Sequence, residues 1–362
     1  MQNTWNKRLE GCQLNVDVWL DVLSVRSLVI PPEEDIKMRL KFASLCRNEN
    51  RLNLALKTLI QLGVKVSSDC SGKTSTVVQV PSLSLHVNFA YQKYLYAVGE
   101  KVQALNNLKN IVGKLKPDDE VEMKVKCYLK LGKWQLDMHE RNLPKDVITE
   151  VLGGFKIATE LDPTSYHAWH AWAIMNFTVI ERSEKEINSG SKILPSSLAS
   201  HLEAAVRGFF KSISLAPHSS GSNNVLQDIL RLLTLWFKNG MRPSAYKSLS
   251  EGFKSVNIDT WLQVIPQLIA RINSNNTMIV ELLMELLKEL GKKHPQALIY
   301  SLTVSSKSPV DARKKNALIL MESMRRDWPV LVDQAQLVSR ELIRVAILWH
   351  EMWHSGLEEA SR

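Results

Sequence analysis

Apolar residues recur at helical spacing along almost the whole of this chain, in short runs separated by brief polar breaks. Alternating β-branched stretches are scarce, and only 15 Gly and 13 Pro are available for turns. A chain patterned this way has to bury one face of each helix against its neighbours. At 362 residues it is too long for one compact core, so two or three units or one long array are expected. The pattern predicts helices over 16–30, 33–46, 51–62, 83–98 and 101–115, and another from Pro117-Asp118-Asp119 through Gln135. Residues 66–82 read as a loop.

The strongest internal signal is Phe155, Ala158 and Pro163, in the F-x2-A-x4-P spacing that ends a tetratricopeptide unit. The alanine lets two helices approach, the phenylalanine fills the gap between them, and the proline ends the second helix. Trp169 then falls where a following unit places its tryptophan, and Ala55 with Leu59 and Ala104 with Leu108 are fainter echoes. Residues 184–198, polar and carrying Gly190 and Pro195, read as a linker. Beyond it the pattern changes. Asp259-Thr260-Trp261 leads into an apolar stretch with Pro266 inside it, which predicts the kinked first helix of a HEAT-type pair. A partner helix over 277–290 would end at Gly291 and Lys292-Lys293. Further helices are expected after His294-Pro295 and over 311–325. The expected fold is all-α, an α-solenoid of stacked tetratricopeptide-like and then HEAT-like hairpins.

Known catalytic signatures are mostly missing. There is no G-x-x-x-x-G-K-[ST] loop, no G-x-G-x-x-G, no kinase H-R-D or D-F-G string and no G-x-S-x-G elbow. His350-Glu351-Met352-Trp353-His354 fits H-E-x-x-H. A zincin needs a third ligand downstream, and Glu358 and Glu359 lie on the same continuing helix, too close to fold back. A packing or partner-binding helix is the favoured reading. Ala346, Trp349, Trp353, Leu357 and Ala360, spaced 3, 4, 4 and 3, make one apolar stripe on it. His167 and His170 flank Trp169 and read as helix-surface histidines.

The net charge of +9 points to an acidic partner, or simply to a solvated basic face. Lysines are dense over 101–133, where Lys126 and Lys130 share a helix face. Cys12, Cys46, Cys70 and Cys127 form no C-x-x-C pair, which suits a reducing compartment. The N-terminus has no signal-peptide pattern, and no apolar run approaches about 20 residues. A cytoplasmic location is expected, with endomembrane surfaces or the nucleus as further sites.

Several strings together resemble target-of-rapamycin kinases, of the phosphatidylinositol-kinase-related family. They are A-W-H-A-W-A-I-M-N-F at 168–177, L-Q-D-I-L-R-L-L-T-L-W-F at 226–237, D-T-W-L-Q-V-I-P-Q-L-I-A-R-I at 259–272, H-P-Q-A-L-I-Y at 294–300 and E-L-I-R-V-A-I-L-W-H-E-M-W-H at 341–354. The resemblance covers essentially the whole chain. It implies a FAT domain, tetratricopeptide-like over 1–183 and HEAT-like over 199–338, followed over 339–362 by the start of the rapamycin-binding domain, cut in its first helix. It also implies a parent serine/threonine kinase whose catalytic domain is not in this chain. The implied partners are that kinase domain and the subunits of the target-of-rapamycin complex.

Residue by residue, the resemblance puts Trp353, Leu357 and Ser361 in the groove for rapamycin and its immunophilin, the serine being the position where bulky replacements confer resistance. The other groove aromatics belong to helices that this chain lacks, so rapamycin binding requires the complete domain. Ser355 replaces the usual glutamate. The resemblance further implies a pocket for inositol hexakisphosphate, matched by Lys41, Lys93, Lys126 and Lys130. Leu14, Asn48, Ala97 and His167 stand where further basic residues are expected, although Arg47 neighbours Asn48. A depleted cradle predicts weak or altered polyphosphate binding. The reading from a different class is a free-standing helical-repeat adaptor with a basic, polyanion-binding surface.

Overall fold

The computed structural model describes residues 2–64, 84–139, 143–188, 195–216, 223–240 and 242–362. All of its regular elements are helices; no strand occurs among the described residues. The loop expected over 66–82 lies outside the described residues, as does Cys70. The chain divides into two compact units, Met1–Pro163 and Thr164–Arg362.

The first unit contains α1 (Gln2–Glu10), α2 (Val16–Arg26), α3 (Ile36–Asn48), α4 (Leu52–Gln61), α5 (Leu85–Val98), α6 (Lys101–Gly113), α7 (Val121–Met138) and α8 (Lys145–Leu161). Two of the starts and one stop have a clear local cause. Asn15 caps α2 by accepting the Asp17 N–H at 2.8 Å, and Ser84 caps α5 through the Val87 N–H. Gly99, at φ +112°, closes α5 in the left-handed conformation that a residue with a Cβ resists.

Pairing follows a repeat. Helices α3 and α4, α5 and α6, and α7 and α8 form hairpins, and the first helix of one hairpin also touches the first of the next, α3 on α5 and α5 on α7. The alanines read as close-approach positions are buried on the second helices: Ala55 on α4, Ala104 on α6 and Ala158 on α8. Leu59 and Leu108 are buried beside them. Phe155 fills the α7–α8 gap as expected, and the gap exists because Gly132 of α7 has no side chain. A Cβ there would lie 2.4 Å from the Phe155 ring.

The second unit contains α9 (Tyr166–Asn188), α10 (Pro195–Leu215), α11 (Asn223–Asn239), α12 (Pro243–Ser255), a 3-10 helix (Ile258–Val264), α13 (Ile265–Ile269), α14 (Thr277–Lys293), α15 (Pro295–Ser305), α16 (Asp311–Asp327) and α17 (Pro329–Ser361). Helices α9 and α10 form a close antiparallel pair where Gly208 meets Ala173. An aromatic core follows. The Phe253 ring lies 4.7 Å from Trp236, 5.1 Å from Trp261 and 5.3 Å from Phe210, centre to centre.

Several sequence expectations need correction here. The Pro266 stretch is not one kinked helix but a 3-10 helix followed by the short α13, with Pro266 in the first turn, where its missing N–H costs no hydrogen bond. Gly291 does not stop α14, which runs on to Lys293. It is a close-approach position against Met324 of α16, whose Cγ would be 2.8 Å from an added Cβ. Of the stretch 184–198 read as a linker, 184–188 are helical in α9 and 195–198 in α10, while 189–194 lie outside the described residues. The expected boundary at 338/339 falls inside one continuous helix, α17. His170 is not a surface histidine: its Nδ1 lies 2.7 Å from Oδ2 of Asp228, a fully buried carboxylate that also accepts from Ser212 at 2.8 Å.

Candidate functional site

The first candidate is a basic cluster in the first unit, assembled from three helices. Arg47 lies in the last turn of α3, Lys93 near the end of α5, and Lys126 and Lys130 one turn apart on α7. Stacking of α3 on α5 and of α5 on α7 brings these faces together. Aromatic rings support the lysine stems: the Lys93 ammonium sits 4.6 Å above Phe89, and that of Lys130 5.5 Å above Trp134. Trp134 is itself stacked on Tyr96 at 4.3 Å.

Electrostatics mark Lys93 as the centre. Burial, then the charges of Arg47, Lys130 and Lys126, lower its pKa to about 8. Burial also lowers Lys130, helped by Lys133 and Arg47, and lowers Arg47. Cations pressed together in a half-dry site repel one another, and an anion among them would relieve that repulsion. Cys127 and Cys46 do not contribute nucleophiles there, since burial pushes both thiols up to about 11.

Three of the four lysines expected at a polyphosphate site are therefore brought together, joined by Arg47. Lys41 is not; its ammonium pairs with Glu10 of α1. Lys126 is partly engaged by Glu122 at 2.5 Å. Of the positions lacking a basic side chain, Leu14, Asn48, Ala97 and His167 are all exposed. Lys124, counted among the dense lysines, is buried and donates to the Pro117 carbonyl at 2.7 Å.

The second candidate is the far half of α17. Val332 anchors the helix against α15 and α16, and beyond it the helix emerges. Trp349 is 64% exposed, Met352 69%, Trp353 60% and Leu357 61%. With Gly356 these side chains line one shallow apolar groove, and Ser361 follows one turn on. His350 and His354 are exposed on the same helix, and no group of three metal-binding side chains forms among the described residues.

Residues 1–234 match the model of the FAT domain. The chain belongs to the FAT-domain family. Residues 245–344 of this FAT-domain chain match the HEAT repeats of serine/threonine-protein kinase ATR-like proteins, and 341–362 match the FKBP12-rapamycin binding domain. The last match covers Trp353, Leu357 and Ser361.

Over its whole length the FAT-domain chain is similar to target-of-rapamycin kinases. It is 40% identical to serine/threonine-protein kinase TOR2 of Saccharomyces cerevisiae, 42% to mTor of Drosophila melanogaster and 40% to TOR of Arabidopsis thaliana, each match covering 100% of this chain. It spans 16%, 15% and 15% of those proteins respectively. Among solved structures, the open conformation of CtTel1 superposes with a TM-score of 0.58 at 14% identity, over 82% of this chain and 13% of that one. The FAT and kinase domain of CtTel1 gives 0.55 at 13% identity, over 80% of this chain and 22% of that one. These likenesses concern the fold. No described helix is long and apolar enough to cross a membrane.

Proposed function

We propose that this FAT-domain chain is a non-catalytic scaffold segment of a target-of-rapamycin-type serine/threonine kinase in growth and nutrient signalling. The observation that carries this reading is the coincidence on α17 of a rapamycin-binding-domain match with an apolar stripe left open to solvent. Large exposed aromatic faces mark partner surfaces. The natural cover is the rest of the rapamycin-binding bundle and the kinase domain of the parent protein, and the hairpin units hold those parts in position and join the other subunits of the complex. Rapamycin with its immunophilin engages Trp353, Leu357 and Ser361 only in a complete domain. The work is done in the cytoplasm, at endomembrane surfaces or in the nucleus. The test is co-expression with the remaining rapamycin-binding and kinase portion of a parent kinase. Stoichiometric co-purification is expected, lost on replacing Trp349 and Trp353 with serine; absence of association would favour the adaptor reading.

The basic cluster adds a structural ligand to this role: inositol hexakisphosphate held by Lys93, Lys126 and Lys130, with Arg47 in support and Lys41 outside. Because each charge-assisted phosphate contact is worth roughly 1.5–3 kcal/mol, the missing basic positions leave weak affinity, above the micromolar range. Lys93→Met should cut that affinity about tenfold to a hundredfold, the effect of losing one such contact, as read by calorimetry. The same variant should melt at a higher temperature than wild type in the absence of ligand, since a disfavoured half-buried charge is gone.

The pH dependence has a definite sign. Lys93 titrates near 8 in the folded chain against an ordinary value of 10.5, so between those values the unfolded chain holds more protons. Its contribution to stability therefore rises with pH across that window, while polyphosphate binding weakens. Unchanged affinity in Lys93→Met would remove the site.

A further inference from the structure

A recess of about 600 Å³ opens in the second unit where the chain leaves α13, crosses to α14 and faces the start of α16. Two arginines and a run of asparagine and serine line it, and no carboxylate does. Arg271, from the connection between α13 and α14, holds its guanidinium 5.4 Å from the centre of the Phe237 ring. Arg313, from the first turn of α16, donates Nη2 to the Ala270 carbonyl at 3.1 Å.

These groups are under-used as donors. The Arg313 Nε and the Asn276 Nδ2 are buried without a hydrogen-bond partner. Asn276 spends its oxygen on capping α14, accepting the Met278 N–H at 3.0 Å. At the far ends of α14 and α16 the cations are paired, Lys293 with Asp259 and Arg325 with Asp333, whereas no ion pair involves Arg271 or Arg313 among the described residues. The N-terminus of the 17-residue α14 adds its partial positive charge to the same wall. Two guanidinium groups from separate elements thus face one recess with surplus donors and no acid to answer them.

We propose that this recess is an oxyanion site for a phosphoryl group, separate from the Lys93 cluster. A carboxylate has two oxygens for these donors; a phosphoryl group offers three or more and a larger charge, which matches the donor supply better. The stacked Arg271 provides a planar fork that lysine would not. The phosphoryl group belongs either to a free polyphosphate or to a phosphorylated side chain of a docking segment.

The test uses the full chain carrying Lys93→Met and Lys130→Met, so that the other basic cluster does not report. Calorimetric titration with inorganic pyrophosphate, and separately with a phosphoserine peptide, should reveal one saturable site. Arg271→Gln should weaken it at least tenfold and leave the melting temperature unchanged, because Arg271 is an exposed side chain. Tighter binding of the peptide assigns a protein-borne phosphate and tighter binding of pyrophosphate a free one; both support the site. Absence of saturable binding of either probe in this background, or equal affinity in Arg271→Gln, overturns it. Either failure leaves the Lys93 reading intact, since that is read with Lys93 present.

Discussion

Gly252→Ala will destabilise the second unit, although alanine is the better helix former. Gly252 lies inside α12, and helix propensity alone predicts a gain of about 1 kcal/mol from alanine. Packing dictates the opposite sign. A Cβ at this position would lie 2.1 Å from the Phe210 ring, with two more of its atoms at 2.3 and 2.5 Å. Phe210 cannot swing away cheaply, because it is buried with Phe253 and Trp261 edge-on to it. Overpacking of this kind costs about 1–3 kcal/mol or more, which outweighs the propensity gain. Thermal denaturation of the variant should show a melting point several degrees below wild type. A rise would mean that α10 and α12 are further apart than the structure has them.

That glycine illustrates what the sequence conceals. The F-x2-A-x4-P spacing revealed Phe155, Ala158 and Pro163, and the buried Ala55 and Ala104 echoed it, because one residue type at a fixed spacing encodes the approach of two helices. Gly132, on which the Phe155 contact depends, carries no comparable signal, since a glycine inside a helix reads only as a weakness. Gly291 reads as a stop for the same reason, and Lys292 and Lys293 after it reinforce that reading. Pro266 pointed correctly to an irregularity, but a 3-10 segment and a kink leave the same mark in a sequence.

The basic cluster was legible only in part. Lys126 and Lys130 share a face by spacing, yet their meeting with Lys93 and Arg47 depends on three stacked helices drawn from α3 to α7, which no local pattern encodes. Lys93 was indicated by family resemblance and not by its neighbours in sequence. Lys41 was indicated the same way, but its place on α3 gives it to Glu10. Asp228 and the Arg271–Arg313 recess escaped altogether, since the residues concerned are 58 and 42 positions apart respectively from His170 and from one another.

The end of α17 was the most legible feature, because a tryptophan-rich stripe on one helix needs nothing but helical geometry to be recognised. The structure leaves that stripe open: Trp349, Met352, Trp353 and Leu357 extend beyond the point where Val332 holds the helix to α15 and α16. Uncovered side chains of this size each forgo about 1.5–3 kcal/mol of burial, a large incentive for two copies to associate through them. Shortening the chain to residues 1–338 removes the stripe and keeps the buried anchor, so the two units should fold as before. Sedimentation velocity on the two forms is the most direct measurement. Residues 1–362 should self-associate with rising concentration, and 1–338 should be a monomer with unchanged helical fraction and melting temperature. Monomeric 1–362 with Trp349 and Trp353 shielded from quenchers would contradict an open stripe.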